Sequence, residues 1–215
     1  MSRRRSSSRR GQPPAKRPNR VSRHPGGGRL RIIGGMYRRR QLPVLDAPGL
    51  RPTPDRVRET LFNWLATTIP GACVLDLFAG TGALGFEALS RGARQATFVE
   101  RHTAAARQIE ANLTTLGAQG HVVNADVERF LCHEASSRFD LVLLDPPFRR
   151  TMAEYSCALL EAQGWLNASA WIYLETEQEL LPVVPSTWRL HRETRAGDGI
   201  GRLFQRRASL TSDAC

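Results

Sequence analysis

The sequence predicts a doubly wound α/β fold, with a mostly parallel seven-stranded sheet and a small N-terminal extension made of a β-hairpin and a helix. From Gly71 onward, apolar runs of strand length alternate with helical patterns, which is typical of a parallel sheet with helices on both faces. A glycine-rich turn, Gly80 to Gly85, follows the first of these strands, as is common in open α/β sheets. A chain of 215 residues accommodates one such domain and an appendage.

Residues 1 to 29 form a basic tail that differs in composition from the rest of the chain. They contain nine Arg, one Lys and no acidic residue, whereas the remaining 21 Arg are nearly balanced by 20 Asp and Glu. Prolines and the run Gly26 to Gly28 prevent a long amphipathic helix, which predicts disorder and argues against a mitochondrial transit peptide. A solubilising segment and a phosphate-binding arm both remain open as roles for this tail.

Targeting and cysteine patterns indicate a soluble protein that is not exported. No apolar run reaches the roughly 20 residues that span a bilayer, and the tail lacks the apolar stretch of a secretory signal. Cys73, Cys132, Cys157 and Cys215 include no C-x-x-C pair. We therefore expect neither a zinc site nor a disulfide framework, and a reducing compartment.

Residues 30 to 70 are predicted to form the N-terminal extension. Two β-prone stretches flank a Gly-Gly turn within residues 30–42, which indicates a hairpin. A helix is expected from about Pro54 to Ala66, with Thr53 as its N-cap. The apolar residues that recur at helical spacing in this segment are Val57, Leu61, Trp64 and Leu65.

Residues 71 to 210 are predicted to form the main domain. The predicted strands are, in order, Val74–Phe78, Ala96–Glu100, His121–Asn124, Phe139–Leu144 and Trp171–Glu175, followed by an antiparallel hairpin of Trp188–Thr194 and Arg202–Arg207. The predicted helices are Ala83–Arg91, Thr103–Leu116 and Met152–Ala162. Phe139–Leu144 is the most apolar strand after the first, which predicts a central position in the sheet.

Asp76, Glu100 and Asp126 each end or follow a predicted strand, at the edge where the carboxyl ends of parallel strands meet. The turn G-T-G-A-L-G at residues 80–85 matches the dinucleotide spacing, but the carboxylate just before it would repel a pyrophosphate. The acidic edge suits a ligand with a sulfonium and an ammonium group. We therefore predict S-adenosylmethionine as cofactor, with Asp76 near its ammonium group, Glu100 at the ribose and Asp126 at the adenine amino group.

The segment Asp145-Pro146-Pro147-Phe148 ends the fourth predicted strand, beside the first strand, at the switch point where such sheets bind ligands. An aryl amine is a poor nucleophile because its lone pair is delocalised into the ring. A carboxylate and a backbone carbonyl that accept both of its N–H bonds, held by the prolines, would direct that lone pair toward a methyl group. Phe148 offers a face on which a flipped or single-stranded base can stack. The segment predicts a methyltransferase that acts on exocyclic amino groups.

These motifs resemble those of the bacterial RsmD methyltransferases over about Leu30 to Arg207. The resemblance lies in R-I-I-G-G-M-Y-R-R-R at residues 31–40, R-P-T-P-D-R-V-R-E-T-L-F-N-W-L at 51–65, D-L-F-A-G-T-G-A-L-G at 76–85 and D-P-P-F at 145–148, of which the first two discriminate best. It implies the class I S-adenosylmethionine-dependent methyltransferase fold and a cytoplasmic enzyme. It further implies that the substrate is the exocyclic N2 of one guanine, number 966, in 16S ribosomal RNA of the small subunit.

The resemblance also implies residue roles. The implied cofactor-binding residues are Asp76, Phe78, Ala79, Gly80, Gly82, Glu100, Arg101, Asp126 and Val127. The implied substrate-binding residues, facing RNA phosphates or the cofactor edge, are Arg38, Arg39, Arg40, Arg51, Thr53, Arg56 and Arg58. The catalytic residues are Asp145, Pro146, Pro147 and Phe148. We expect no metal, no membrane contact and a monomer.

Two other functions remain open at this stage. One is an adenine-N6 or other guanine-N2 methyltransferase that acts on free RNA or DNA, because an Asp-Pro-Pro-aromatic motif serves any planar amine. The short segments on either side of the core leave little room for the separate target-recognition domain of a DNA enzyme. The other is a ribosome assembly factor that keeps the fold without turnover, against which the intact motifs argue.

Overall fold

The computed structural model describes residues 28–45, 53–147, 152–196 and 199–207. The predictions made for the tail up to residue 27, for Arg51, for Phe148 and for the turn at Gly197 and Asp198 lie outside these residues. The described residues form a two-stranded sheet and a seven-stranded sheet. The predicted hairpin extension and the mostly parallel seven-stranded sheet are therefore confirmed.

The N-terminal extension is a hairpin followed by a helix. Strand β1 (Arg29–Arg31) pairs antiparallel with β2 (Gln41–Pro43), and helix α1 covers Asp55–Trp64. The prediction of Thr53 as the N-cap of this helix is wrong. Pro54 is the N-cap residue, and the Thr53 hydroxyl instead donates a hydrogen bond to Asp145, so that it is used between elements rather than within the helix.

The main domain alternates strands and helices, as the sequence predicts. Its elements are β3 (Cys73–Asp76), α2 (Ala83–Ser90), β4 (Gln95–Val99), α3 (Thr103–Leu116), β5 (Gly120–Val123), α4 (Val127–Leu131), β6 (Phe139–Leu144), α5 (Met152–Ala162), β7 (Leu166–Glu177), β8 (Trp188–Ala196) and β9 (Gly199–Arg206). Helix α4 is missing from the prediction because five residues carry too little periodicity to recognise. Strand β7 begins five residues before its predicted start.

The strand order of the large sheet is β5-β4-β3-β6-β7-β9-β8. Strands β3 to β7 pair in parallel, while β9 is antiparallel to both β7 and β8. The order reverses between β3 and β6, where the chain first builds outward to β5 and then returns to the other side. The carboxyl ends of β3 and β6 therefore flank the crevice in which open α/β sheets bind ligands.

Apolar side chains fill both faces of this sheet. On one face, residues such as Leu61 of α1, Phe86 of α2 and Ile109 of α3 pack with Leu141 of β6 in one buried cluster. On the other face, Val142 of the same strand packs with residues of α4 and α5. Strand β6 is thus buried on both sides at the centre of the sheet, as its apolar run predicts.

Glu87 of α2 joins the extension to the main domain. Its fully buried carboxylate accepts hydrogen bonds from the backbone N–H groups of Ile33 and Gly34 at 2.9 and 2.8 Å. The neighbouring Gly35 has φ +73°, and a Cβ there would lie 1.8 Å from the carbonyl oxygen of Ser90. The Gly-Gly turn is therefore required for the hairpin to approach α2 so closely.

The described helices are short. The longest, α3, has 14 residues, and no helix in this part of the chain is both long and apolar enough to cross a bilayer.

Candidate active site at the carboxyl edge of the large sheet

Four acidic residues lie along one edge of the large sheet. Asp76 ends β3, Glu100 directly follows β4, Asp126 comes three residues after β5 ends, and Asp145 directly follows β6. Since these strands are parallel neighbours, their carboxyl ends share that edge. The structure therefore brings together the carboxylates that the sequence pattern singles out.

Glu100 holds the glycine-rich turn after β3 in place. Its Oε2 accepts a hydrogen bond from the backbone N–H of Gly80 at 2.7 Å, and its Oε1 accepts one from the N–H of His102 at 2.7 Å. The residue is 7% exposed. A carboxylate oxygen has lone pairs for a second donor, so Glu100 can still accept from ribose hydroxyls while it fixes the turn.

Asp76 is buried beneath the same turn. Its Oδ2 accepts a hydrogen bond from the N–H of Gly85 at 2.9 Å, and the residue is 3% exposed. Burial raises the pKa of its carboxyl to about 7. The Gly85 hydrogen bond lowers this pKa, and the charges of Asp145 and Glu100 raise it. A Cβ on Gly85 would lie 2.2 Å from the Phe98 ring, so only glycine lets α2 pack this close to β4.

The other predicted cofactor residues in or near this turn differ in exposure and backbone conformation. Phe78 is half-buried and Ala79 is buried, Gly80 and Gly82 have positive φ values of 54° and 77°, and Arg101 is exposed. The N-terminal extension also reaches the turn, because Val44 and Leu45 line a small cavity together with Gly80 and Thr81.

Asp126 is an N-cap residue. Its Oδ1 accepts a hydrogen bond from the N–H of Glu128 at 2.9 Å at the start of α4, and the residue is exposed. The side chain of Val127 is buried in the cluster beneath α4 and α5. Asp126 can thus present its second carboxylate oxygen to a ligand. Val127 can contact a ligand only through its backbone.

Asp145 lies at the boundary between β3 and β6, followed by the buried Pro146 and the exposed Pro147. The hydroxyl of Thr53, just before α1, donates to its Oδ2 at 3.5 Å. Burial raises the pKa of the Asp145 carboxyl, while this hydrogen bond lowers it. The extension therefore contributes a side chain directly to the Asp-Pro-Pro segment.

Glu175 is a fifth acidic residue at this edge, and the sequence interpretation did not assign it a role. It lies in β7, is 6% exposed, and accepts a hydrogen bond from the Tyr173 hydroxyl at 3.1 Å. Burial raises the pKa of its carboxyl, and the nearby charge of Asp145 raises it further. Its position at the end of the predicted strand after Asp145 was the signal that could have revealed it.

The carboxyls of Asp76, Asp145 and Glu175 share an important property. None of them takes part in an ion pair with the arginines of the described residues. Buried carboxyls without a cationic partner favour a ligand that supplies positive charge and N–H donors. A sulfonium with an ammonium group fits this set of acceptors. Within the described residues, no three His, Cys, Asp or Glu side chains are grouped so that they could hold a metal ion.

The predicted RNA-facing arginines separate into two kinds. Arg38, Arg39 and Arg40, in the turn of the hairpin, and Arg56 of α1 are exposed. Arg58 is not available to RNA, which corrects its predicted role. It is 1% exposed, and its guanidinium donates to Asp55, Glu87 and the backbone carbonyls of Thr53 and Arg31.

Arg58 is buried because α1 turns it toward α2, where the Glu87 carboxylate balances its charge. Together with Asp55 it ties α1 to the hairpin and to the main domain. This fixes Thr53, five residues earlier, against Asp145. Arg58 therefore positions Thr53 next to Asp145 through its hydrogen bond to the Thr53 backbone carbonyl.

Comparisons with known proteins place the chain among methyltransferases. The model of the family described as conserved hypothetical protein 95 matches residues 30–205. The chain is similar to ribosomal RNA small subunit methyltransferase D of Escherichia coli, with 53% identity over 93% of this chain and 99% of the relative. It is also similar to the protein of the same name from Haemophilus influenzae, with 46% identity over 83% of this chain and 94% of the relative.

A solved structure shows the same architecture. The Escherichia coli protein yhhF superposes with a TM-score of 0.78 and 53% sequence identity, over 84% of this chain and 99% of that chain. This similar protein therefore shares the overall fold of the chain.

Proposed function

The chain belongs to the conserved hypothetical protein 95 family, the RsmD family, and on that premise we propose that it methylates the exocyclic N2 of a guanine in 16S ribosomal RNA. S-adenosylmethionine is the proposed methyl donor. The observation that carries the proposal is the position of Asp145, which lies at the switch point beside the edge formed by Asp76 and Glu100. One crevice can therefore hold a cationic methyl donor on one side and the planar amine that accepts the methyl group on the other.

Asp76, Glu100 and Asp126 would hold the cofactor, with Gly80 and Gly82 allowing its close approach. When bound, S-adenosylmethionine supplies a methyl group made electrophilic by the sulfonium. The buried carboxyls favour this cation because water screens them little and the described arginines do not pair with them. The Glu100 bonds to Gly80 and His102 hold the turn ready before the ligand arrives.

Asp145 and the Pro146 backbone carbonyl would accept the two N–H bonds of the target amine and direct its lone pair toward the methyl carbon. Transfer to that lone pair would form the N–C bond and break the C–S bond, whose electron pair would stay on sulfur. The methylated nitrogen then loses one proton. Asp145 can take up that proton, because burial raises the pKa of its carboxyl toward neutrality. Thr53 holds the carboxylate in orientation.

The finer assignments are proposals that rest on resemblance to the family. Guanine N2 as the target, position 966, and the assembling or assembled small subunit as the physical substrate are what we propose for this chain. The exposed Arg38, Arg39, Arg40 and Arg56 would contact RNA phosphates. Phe148, which lies outside the described residues, would stack on the base.

The direct test is the variant Asp145→Ala, assayed with tritiated S-adenosylmethionine and 16S ribosomal RNA. We expect transfer to fall by about 10² to 10³, because an oriented acceptor at the reacting nitrogen is lost. Calorimetry should show that S-adenosylmethionine still binds. Glu128→Ala, at an exposed acidic residue of α4, is the matched control and should keep the wild-type rate. Wild-type transfer by Asp145→Ala would contradict the role of Asp145.

Mapping the tritiated methyl group identifies the target. The RNA is offered naked and as small subunits, digested to nucleosides and separated, and N2-methylguanosine is expected. Recovery of N6-methyladenosine would replace guanine by adenine as the substrate base. The absence of any transfer to RNA, despite tight cofactor binding, would refute the proposed function.

A further inference from the structure

After the basic tail, the positive charge of the chain is concentrated in its two hairpins. Residues 30–45 contain four Arg and no acidic residue, and residues 188–207 contain six Arg and two acidic residues. The other residues from position 30 onward contain 11 Arg and 18 acidic residues. The near neutrality of this part of the chain therefore conceals a second basic region, at the C-terminal hairpin, to which no role has been assigned so far.

The arginines of the C-terminal hairpin differ in their partners. Arg202 is 5% exposed, donates to the Thr176 hydroxyl at 2.8 Å and lies 3.6 Å from Glu193, and Arg206 pairs with Glu161 at 2.7 Å. These two arginines serve the structure. By contrast, Arg189, Arg192 and Arg195 of β8 are exposed, and none of the ion pairs of the described residues includes them. We name these three residues the β8 arginine row.

A β-bulge places two members of the row on one face of the sheet. Arg189 pairs with Gln205 and Arg192 with Leu203, and the register shifts between Leu190 and Arg192. In a regular strand, residues three apart point to opposite faces, but the extra residue of the bulge returns Arg192 to the face of Arg189. This is the face on which Leu203 packs in the same buried cluster as residues of α1, the helix that follows Thr53.

Arg195 pairs with Ile200, three residues from Leu203 on β9, so it lies on the opposite face of this edge strand from Arg189 and Arg192. The register places this end of the row level with the active site. Ile200 pairs in turn with Thr176 of β7, whereas Leu144, just before Asp145, pairs with Leu174. Arg195 therefore lies within about one strand residue, roughly 3 Å, of the level of Asp145 along the strands. Across the sheet the separation from β6 to β8 is three strand spacings, or about 14 Å.

We propose that the β8 arginine row binds the phosphates of the RNA strand that flanks the target base, an inference that rests on the proposed function. Asp76, Glu100 and Asp126 put three carboxylates on one side of Asp145, where they repel phosphates. The other side carries one, Glu175, and leads to the basic strand β8, so we expect the RNA strand to leave the crevice on that side. There the exposed guanidinium groups offer planar, bidentate donors that match phosphate oxygens. Phosphate contacts of this kind fix the register of a nucleic acid without reading its sequence.

The test compares full-length variants that lose the same three charges in different places. One carries Arg189→Ala, Arg192→Ala and Arg195→Ala. The matched control carries Arg107→Ala, Arg129→Ala and Arg138→Ala, three exposed arginines of α3, α4 and the segment before β6. Binding of each protein to naked 16S ribosomal RNA is measured over a range of salt concentrations, and S-adenosylmethionine binding by calorimetry.

We expect the row variant to bind RNA more weakly, on the order of tenfold, with a slope of log K against log salt reduced by about 2 to 3, since roughly one unit is lost per phosphate contact. Its affinity for S-adenosylmethionine should equal that of the wild type. The control should keep most of the wild-type slope. A third variant with lysine at the same three positions should retain the slope, because the charges remain.

Three results would overturn the inference. An unchanged slope in the row variant would mean that the charges only protect an edge strand from pairing with another sheet. Equal loss in the control would mean that total charge matters and position does not. If binding to small subunits, measured in parallel, became weaker in the row variant while binding to naked RNA did not change, the row would contact a ribosomal protein instead. Failure of the wild-type protein to methylate RNA would instead contradict the proposed function.

Discussion

The carboxyl edge of the large sheet has two halves that meet at Asp145. In the parallel half, β3, β4 and β5 each deliver one carboxylate at or just after the strand end, namely Asp76, Glu100 and Asp126. In the mixed half, β7, β9 and β8 present side chains from within strands, such as Glu175 and the β8 arginine row. The first half is acidic at its edge, and the second ends in a basic strand.

The difference shows how strand direction decides where functional side chains come from. A parallel strand requires a crossover, so its carboxyl end is followed by a turn, and the turn can point a side chain at a ligand. Antiparallel neighbours need only a hairpin, so their side chains reach a ligand through the register of the strands. We infer that the parallel half serves the cofactor and the mixed half serves the RNA.

The largest effect is expected for Glu100→Ala in the parallel half. The backbone N–H groups of Gly80 and His102 would lose their carboxylate acceptor, and hydrogen bonds to charged groups contribute about 1.5 to 3 kcal/mol each. Calorimetry should show that the affinity for S-adenosylmethionine falls about 100-fold or more. The salt dependence of RNA binding should stay as in the wild type, because the mixed half is untouched.

Glu110→Ala, at an exposed residue of α3, is the matched control for the loss of one carboxylate and should leave the cofactor affinity unchanged. If Glu100→Ala weakened RNA binding and cofactor binding to the same degree, the two halves would not be separate functional regions.

The parallel half is predictable from the sequence because its residues follow apolar runs. Asp76 and Glu100 were placed by strand ends alone, and the structure puts them on one edge as expected. Glu175 belongs to the same predicted group of strand ends, but burial and the charge of Asp145, 30 residues earlier in the chain, raise the pKa of its carboxyl, and strand spacing shows neither of them. The β8 arginine row could not be predicted, since its geometry depends on a bulge between Leu190 and Arg192.

The extension shows a second limit of sequence reasoning. Helical spacing correctly predicted α1, but it could not reveal that Arg58 on that helix is buried against Glu87, 29 residues away. Thr53 was predicted as a helix cap because a sequence pattern indicates only hydrogen bonds between residues that are close in the chain. In the structure a partner 92 residues away, Asp145, accepts its hydrogen bond. Long-range partners decide these roles.

An intermediate effect is expected for the pH dependence of S-adenosylmethionine affinity. It tests whether the carboxylates of the parallel half bind a cationic ligand. The pKa of Asp76 is raised to about 7, so its carboxyl is protonated in the free protein at lower pH. A cationic ligand prefers the carboxylate, and binding must then release a proton. Affinity for S-adenosylmethionine should therefore increase by up to about tenfold per unit from pH 5 to pH 7 and level off above.

The same shift has a defined sign for stability. Because the unfolded chain releases this proton at lower pH than the folded one, the contribution of Asp76 to the free energy of unfolding decreases from about pH 4 to pH 7. Asp76→Asn keeps an acceptor for Gly85 but removes the titration, so it should reduce both pH dependences. A cofactor affinity that rises toward low pH would contradict the assignment.

The smallest effect is expected for Thr53→Val, at the boundary between the halves. The hydroxyl lies 3.5 Å from Asp145 and lowers its pKa, so its loss should raise the pKa of Asp145 further. A long, neutral donor contributes about 0.5 kcal/mol, which predicts a two- to threefold decrease in kcat/KM near neutral pH. The acid limb of the pH–rate profile should move to higher pH, and Thr53→Ser should restore it. A lower melting temperature with an unshifted profile would show that Thr53 supports only the fold and that the extension does not tune the methyl-transfer site.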